Sequence, residues 1–185
     1  MASNYYYFIA SLPHVNYGDK PPFASAEFTE RCVNYLSSRD VNLIHYCSYD
    51  PKLSLETVAS TGSSFIDFIL LRERVMNMTL ASLRGAKLNR PFNGEVSHDL
   101  PRAEAVAKTA FEMDDPLDAA LFIDRGRWGV LDEMVGVNFF SANNVFAYFF
   151  KLQLLERKQR FDIQKGAAVY RDLYDSILTK FNSKV

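Results

Sequence analysis

The sequence is poor in the features that most often announce a function. Its 185 residues include two cysteines, three histidines and eight glycines. Cys32 and Cys47 are too few for a disulfide framework and lack the spacing of metal ligands, so free thiols in a reducing cytoplasm are expected. His14, His45 and His98 stand far apart, with no HExxH pattern and no His–Cys cluster, and no metal site is expected. The glycines build neither a GxGxxG turn nor a phosphate loop, and no cofactor is expected. A formal net charge of −1 supplies no global field that would draw nucleic acid or an acidic membrane surface. No strictly apolar run exceeds the six residues of "VFAYFF", 145–150, whereas a membrane helix needs about 20. The opening "YYYFIASLPHVNYGDKPPF" (5–23) has no basic residue before Lys20, so it lacks the basic start of a secretion signal. It is expected to pack into the fold.

What is present is apolar and aromatic: 48% hydrophobic residues, with 15 Phe and 10 Tyr. That is ample for a core, and the length suits one domain spanning 1–185. Periodicity predicts an all-α fold of about six helices. "SAEFTERCVNYLSS" (25–38) reads as a helix with Ser25 as N-cap and Phe28, Cys32 and Leu36 on one face. The stretch 41–62 carries mixed signals and is left unassigned. A long helix over 64–88 places Phe65, Phe68, Ile69, Val75, Met76, Leu80 and Leu83 in one arc. A loop with Pro91 and Gly94 follows, then a shorter helix over 101–112. A helix over 114–136 begins with Asp115 as cap and Pro116 at its first position. Over 141–161 the apolar residues point almost all round, which predicts a central apolar helix buried on several sides. In the last helix Ile163, Tyr170, Leu173, Tyr174, Ile177, Leu178 and Phe181 share roughly 140° of arc.

Few groupings carry chemistry. The acids Asp114 and Asp115 could serve a metal or acid–base step, but helix-start electrostatics explains them more simply. The basic "ERKQR" (156–160) could touch phosphates, or end a helix in solvent as its dipole favours. Two charges interrupt apolar stripes: Arg72 in the 64–88 helix and Asp124 in the 116–135 stripe. Arginine can reach water along its stem; a short carboxylate cannot, and needs a partner. The expectation is an Arg72–Asp124 pair that sets helix register, worth about 3–5 kcal/mol on removal of one partner if fully buried.

Four segments carry a resemblance: "YYYFIASLP", "YGDKPPF", "RERVMNMTLASLRGAKL" (72–88) and "NNVFAYFFKLQLLERKQRFD" (143–162). Together they resemble a small family of bacterial proteins encoded among the genes of V-type ATPases, over a span from Tyr5 to about Phe181. That family is distantly similar to the C subunit of V/A-type ATPases, called subunit d in eukaryotes. The C subunit is an all-helical, funnel-shaped adaptor that seats the rotating shaft on the membrane ring. The resemblance implies a non-catalytic adaptor at the cytoplasmic face, with the shaft and ring subunits as partners and the membrane met only through the complex. It transfers no catalytic residues. Full C subunits are longer, with three helical modules, so this chain corresponds to part of such a funnel. Acids gather between Glu112 and Asp124 and bases between Lys151 and Lys165, a split that suits a protein with two partners. Lys151, Arg157, Lys158 and Arg160 are the partner-contact candidates. Rival readings are an assembly factor or regulator that binds the ATPase transiently, and a small enzyme using Cys32, Cys47 and His45.

Overall fold

Asp115 and Pro116 start a helix as the sequence predicts. The Asp115 side chain accepts the Leu117 N–H at 2.7 Å, and Pro116 takes the first helical position, where its missing N–H has no bond to lose. The computed structural model describes residues 5–52, 60–90, 92, 94, 98–136, 139–161 and 163–182; within the last helix it describes the side chains of 166 and 169–177. Among the described residues there are eight helices and no strand: α1 Tyr6–Ala10, α2 Ser25–Tyr35, α3 Ser38–Ile44, α4 Ser64–Lys87, α5 Pro101–Glu112, α6 Pro116–Val135, α7 Ala142–Arg160 and α8 Ile163–Asn182. The fold is all-α. Six of these match the six expected segments; α1 and α3 are short additions.

The first addition lies in the tyrosine-rich opening. Phe8 is buried, stacked between Phe28 at 5.8 Å and Tyr35 at 4.9 Å. The Tyr5 N–H donates to the Phe140 carbonyl at 2.8 Å. Its hydroxyl donates to Asp40 at 2.5 Å and accepts the Ser37 N–H at 3.1 Å. Tyr6 and Tyr7 face outward. The chain then turns at Gly18, whose φ of +107° only glycine adopts without strain.

The second addition, α3, lies partly in the unassigned stretch 41–62, of which 53–59 fall outside the described residues. Ser37 caps α3: its hydroxyl accepts the Asp40 N–H at 3.2 Å and donates to the Asp40 carboxylate at 2.9 Å. The cap expected at Ser25 is displaced by one residue. Ala24 is the N-cap, and Ser25 is held by an acid from another helix. Glu156 of α7 accepts its N–H at 2.6 Å and its hydroxyl at 2.9 Å. A carboxylate suits that place, where free N–H groups converge at a helix start.

Three packing relations position the charged residues. Ala103, Ala107 and Ala110 recur at helical spacing on α5 and are buried; their small side chains let α5 lie close to α4. Helix α6 packs against both α5 and α7, and α2 and α3 also pack on α7. Helix α7 buries Val145, Phe146, Ala147, Phe150, Leu152, Leu154 and Leu155, residues that circle its axis. No helix of the described residues is long and apolar enough to cross a membrane.

Candidate functional site

Charge enters the interior where α4, α6 and α7 meet. On α4, Ile66, Glu73 and Leu80 are spaced seven apart and therefore share a face; all three are buried. Glu73 meets Arg127 of α6 in a two-point contact, Nε to Oε1 at 3.0 Å and Nη2 to Oε2 at 2.5 Å. Arg127 also donates from Nη1 to Asp124 Oδ1 at 2.7 Å, one helical turn back. Arg72 donates to Glu73 Oε1 at 3.3 Å. Arg157 of α7 brings Nε to 3.2 Å from Asp124 Oδ2, an ion-pair distance. That oxygen nevertheless lacks a well-directed hydrogen bond.

Arg72 and Asp124 are 5% and 1% exposed, yet the pair expected between them is not made directly. Glu73 and Arg127 stand between, so the two charges are links in one chain: Arg72, Glu73, Arg127, Asp124, Arg157. Each original charge has a nearer opposite partner, Glu73 as the next residue on α4 and Arg127 one turn away on α6. Burial acts to lower the Arg127 pKa, but Glu73 above all, with smaller contributions from Tyr49 and Asp124, outweighs it and holds the guanidinium above its ordinary value. Burial dominates at Arg72, lowering its pKa against the pull of Glu73.

The four basic partner-contact candidates fall into different settings. Lys151 is turned onto Asp132 at 2.5 Å and over the Trp128 ring at 5.0 Å. Arg157 reaches inward to Asp124 and keeps 40% of its side chain exposed. Lys158 lies 5.2 Å from the Tyr17 ring centre. Arg160 is exposed. Of the four, Lys151 and Arg157 have charge partners within the chain, so a second protein would meet them partly neutralised.

The cysteines are buried and reduced. Burial pushes the Cys32 thiol up to about 12 and raises Cys47 as well, where the neighbouring Cys32 adds to the effect. Neutral, enclosed thiols are poor nucleophiles. Among the described residues no group of three His, Cys, Asp or Glu converges to hold a metal ion.

Helix α8 presents the other unusual surface. Tyr170, Leu173, Tyr174 and Ile177 follow i, i+3, i+4, i+7 spacing and are between 53% and 70% exposed. The Tyr170 and Tyr174 rings stack at 6.3 Å. The expected stripe members Ile163, Leu178 and Phe181 lie outside the described side chains.

A family profile described as a protein of unknown function (DUF2764) matches residues 93–180, a little under half of the chain. The matched stretch runs from before α5 into α8 and includes Asp124, Arg127 and Arg157, while Arg72 and Glu73 precede it. No curated protein and no solved structure matches the chain.

Proposed function

We propose that this protein is a non-catalytic adaptor of a bacterial V-type ATPase, placed as the C subunit is, between the central shaft and the membrane ring. The ATPase assignment rests on the resemblance of the segments at 5–23, 72–88 and 143–162. The observation that carries an interaction role is the exposed face of α8. Four large apolar or aromatic side chains in helical register on one surface are uncommon on a protein that works alone. Burying each against a partner is worth about 1.5–3 kcal/mol, and their spacing is that of a helix laid into an apolar groove. The shaft subunit is the partner assigned to this face. In this reading α7 is the central apolar helix of the adaptor, and the protein sits at the inner face of the membrane only through the ATPase.

A double substitution, Leu173→Asp with Ile177→Asp, tests the role of this face. The adaptor reading expects an unchanged circular dichroism spectrum and melting temperature, because both positions are exposed, together with loss of capture of purified shaft subunit. A doubly substituted protein that binds the shaft as the parent does contradicts it.

A further inference from the structure

A cleft of about 390 Å³ opens beside the buried charges, between α4, the α5–α6 turn, α6 and the end of α7. Its lining includes the apolar Met76, Leu80, Phe111 and Ile123 and the polar Tyr49, Asn77, Arg84, Arg127 and Arg157. Every charged side chain that lines the cleft, among the described residues, is a cation. The volume falls in the range of roughly 300–1,000 Å³ seen for small-molecule sites.

Two enclosed donors of this lining have nothing to donate to. The Tyr49 hydroxyl and the Asn77 amide nitrogen are buried without a hydrogen-bond partner, and a buried donor left unmet is unfavourable. Tyr49 is well placed to remain a donor: burial first, then the nearby Glu73, raise its pKa well above the ordinary value. Its ring lies against the Arg127 guanidinium at 4.7 Å, so the hydroxyl is carried by a fixed group.

The charges of the lining point the same way. Among the described residues it carries Arg84, Arg127 and Arg157 and no acid. Glu73 and Asp124 take up Arg127, whereas Arg157 keeps 40% of its side chain exposed and Arg84 stands at the exposed rim. These two cations suit an anionic acceptor whose remainder is apolar. Inorganic phosphate would set polar oxygens against methionine, leucine and phenylalanine.

We propose that this cleft binds a small carboxylate bearing a short apolar chain, the carboxylate taken by Tyr49, Asn77 and Arg157 with Arg84 closing on it from the rim, and the chain laid along Met76, Leu80, Phe111 and Ile123. This goes beyond the adaptor reading and stands on its own geometry, so either can fail without the other.

Isothermal titration of the full chain with hexanoate, hexanol and inorganic phosphate tests it. The expected result is saturable binding of one hexanoate per chain, no saturable heat from hexanol over the same range, and phosphate weaker by at least about tenfold. Arg157→Gln and Arg84→Gln each weaken hexanoate, the former by about tenfold or more. Arg84 is exposed, so Arg84→Gln keeps its fold and decides alone should Arg157→Gln fail to fold. Absence of saturable hexanoate binding overturns the proposal. So does hexanol or phosphate binding as tightly as hexanoate, or Arg84→Gln binding hexanoate as the parent does.

Discussion

Arg127 grips both oxygens of Glu73, a residue 54 positions away in the sequence, in a contact closed off from water. The two-point geometry fixes the relative position of α6 and α4 more tightly than apolar packing can, because parallel N–H···O bonds tolerate little sliding. Such a contact adds little net stability over a well-packed apolar pair, but loss of one partner strands the other. Glu73 is the most consequential member, since both arginines that it faces, Arg72 and Arg127, are buried, whereas one of the two at Asp124, Arg157, is half-exposed.

Replacing Glu73 is therefore expected to be severe and replacing Arg157 mild. Glu73→Ala leaves Arg72 and Arg127 buried with insufficient countercharge and is expected to lose about 3–5 kcal/mol. Arg157→Ala removes a half-exposed partner while Asp124 keeps Arg127, and is expected to lose about 1 kcal/mol or less. Urea unfolding at neutral pH reads both, and equal losses contradict the arrangement.

The Tyr5 hydroxyl ties the opening segment to α3 through Asp40 and the Ser37 N–H. Tyr5→Phe keeps the ring and removes both bonds, with an expected loss of about 1.5–3 kcal/mol because one partner is charged. Deleting 5–12 also removes buried Phe8 and is expected to abolish soluble folded protein. An unchanged melting temperature after that deletion contradicts a packed opening.

Glu156 joins α7 to the start of α2 by two bonds to Ser25. Glu156→Ala is expected to lose about 1–2 kcal/mol, the range for losing a helix cap. Ser25→Ala keeps the backbone bond and is expected to lose less. The reverse order of the two, by thermal or urea unfolding, contradicts the role given to the carboxylate.

Stability is expected to fall in alkali. Cys32, Cys47 and Tyr49 all have raised pKa values, with burial the largest cause. The unfolded chain ionises its thiols at about pH 8.5 and its phenols at about pH 10, while the folded chain still holds those protons. The contribution is thus fully present below about pH 8.5 and is lost as pH rises toward the folded values, near 12 for Cys32. Urea midpoints between pH 7 and 11 should decline through this window; a flat profile contradicts it. In the same terms, neither thiol should react rapidly with a disulfide reagent at pH 8 until the chain unfolds.

Much of this was legible in the sequence, and the misses have identifiable causes. Long elements with a strong start, such as the helix opened by Asp115 and Pro116, follow from local chemistry that packing does not override. Helix α3 was hidden because seven residues give too few turns for a stripe, and Val41, Leu43 and Ile44 suit a strand as well; the Ser37-x-x-Asp40 spacing was the available signal. Ser25 was misassigned because its partner, Glu156, is distant in sequence.

The charged cluster shows the same division. Periodicity marked Arg72 and Asp124 as intruders on apolar faces, and both are buried. It also carried Glu73, seven residues from both Ile66 and Leu80, and Arg127, one turn from Asp124. Their charge drew attention away from their position. Which cation meets which anion depends on how α4 and α6 are set against each other, and no single-helix pattern contains that. The exposed face of α8 was legible as a stripe, but only the fold shows it uncovered.

This chain is proposed to be a fixed part of a V-type ATPase. The most direct test is capture of tagged protein from solubilised native membranes, with quantification of the subunits that accompany it. The account predicts shaft and ring subunits, with the shaft near one-to-one. Recovery of neither, from membranes in which the ATPase is intact and active, contradicts it.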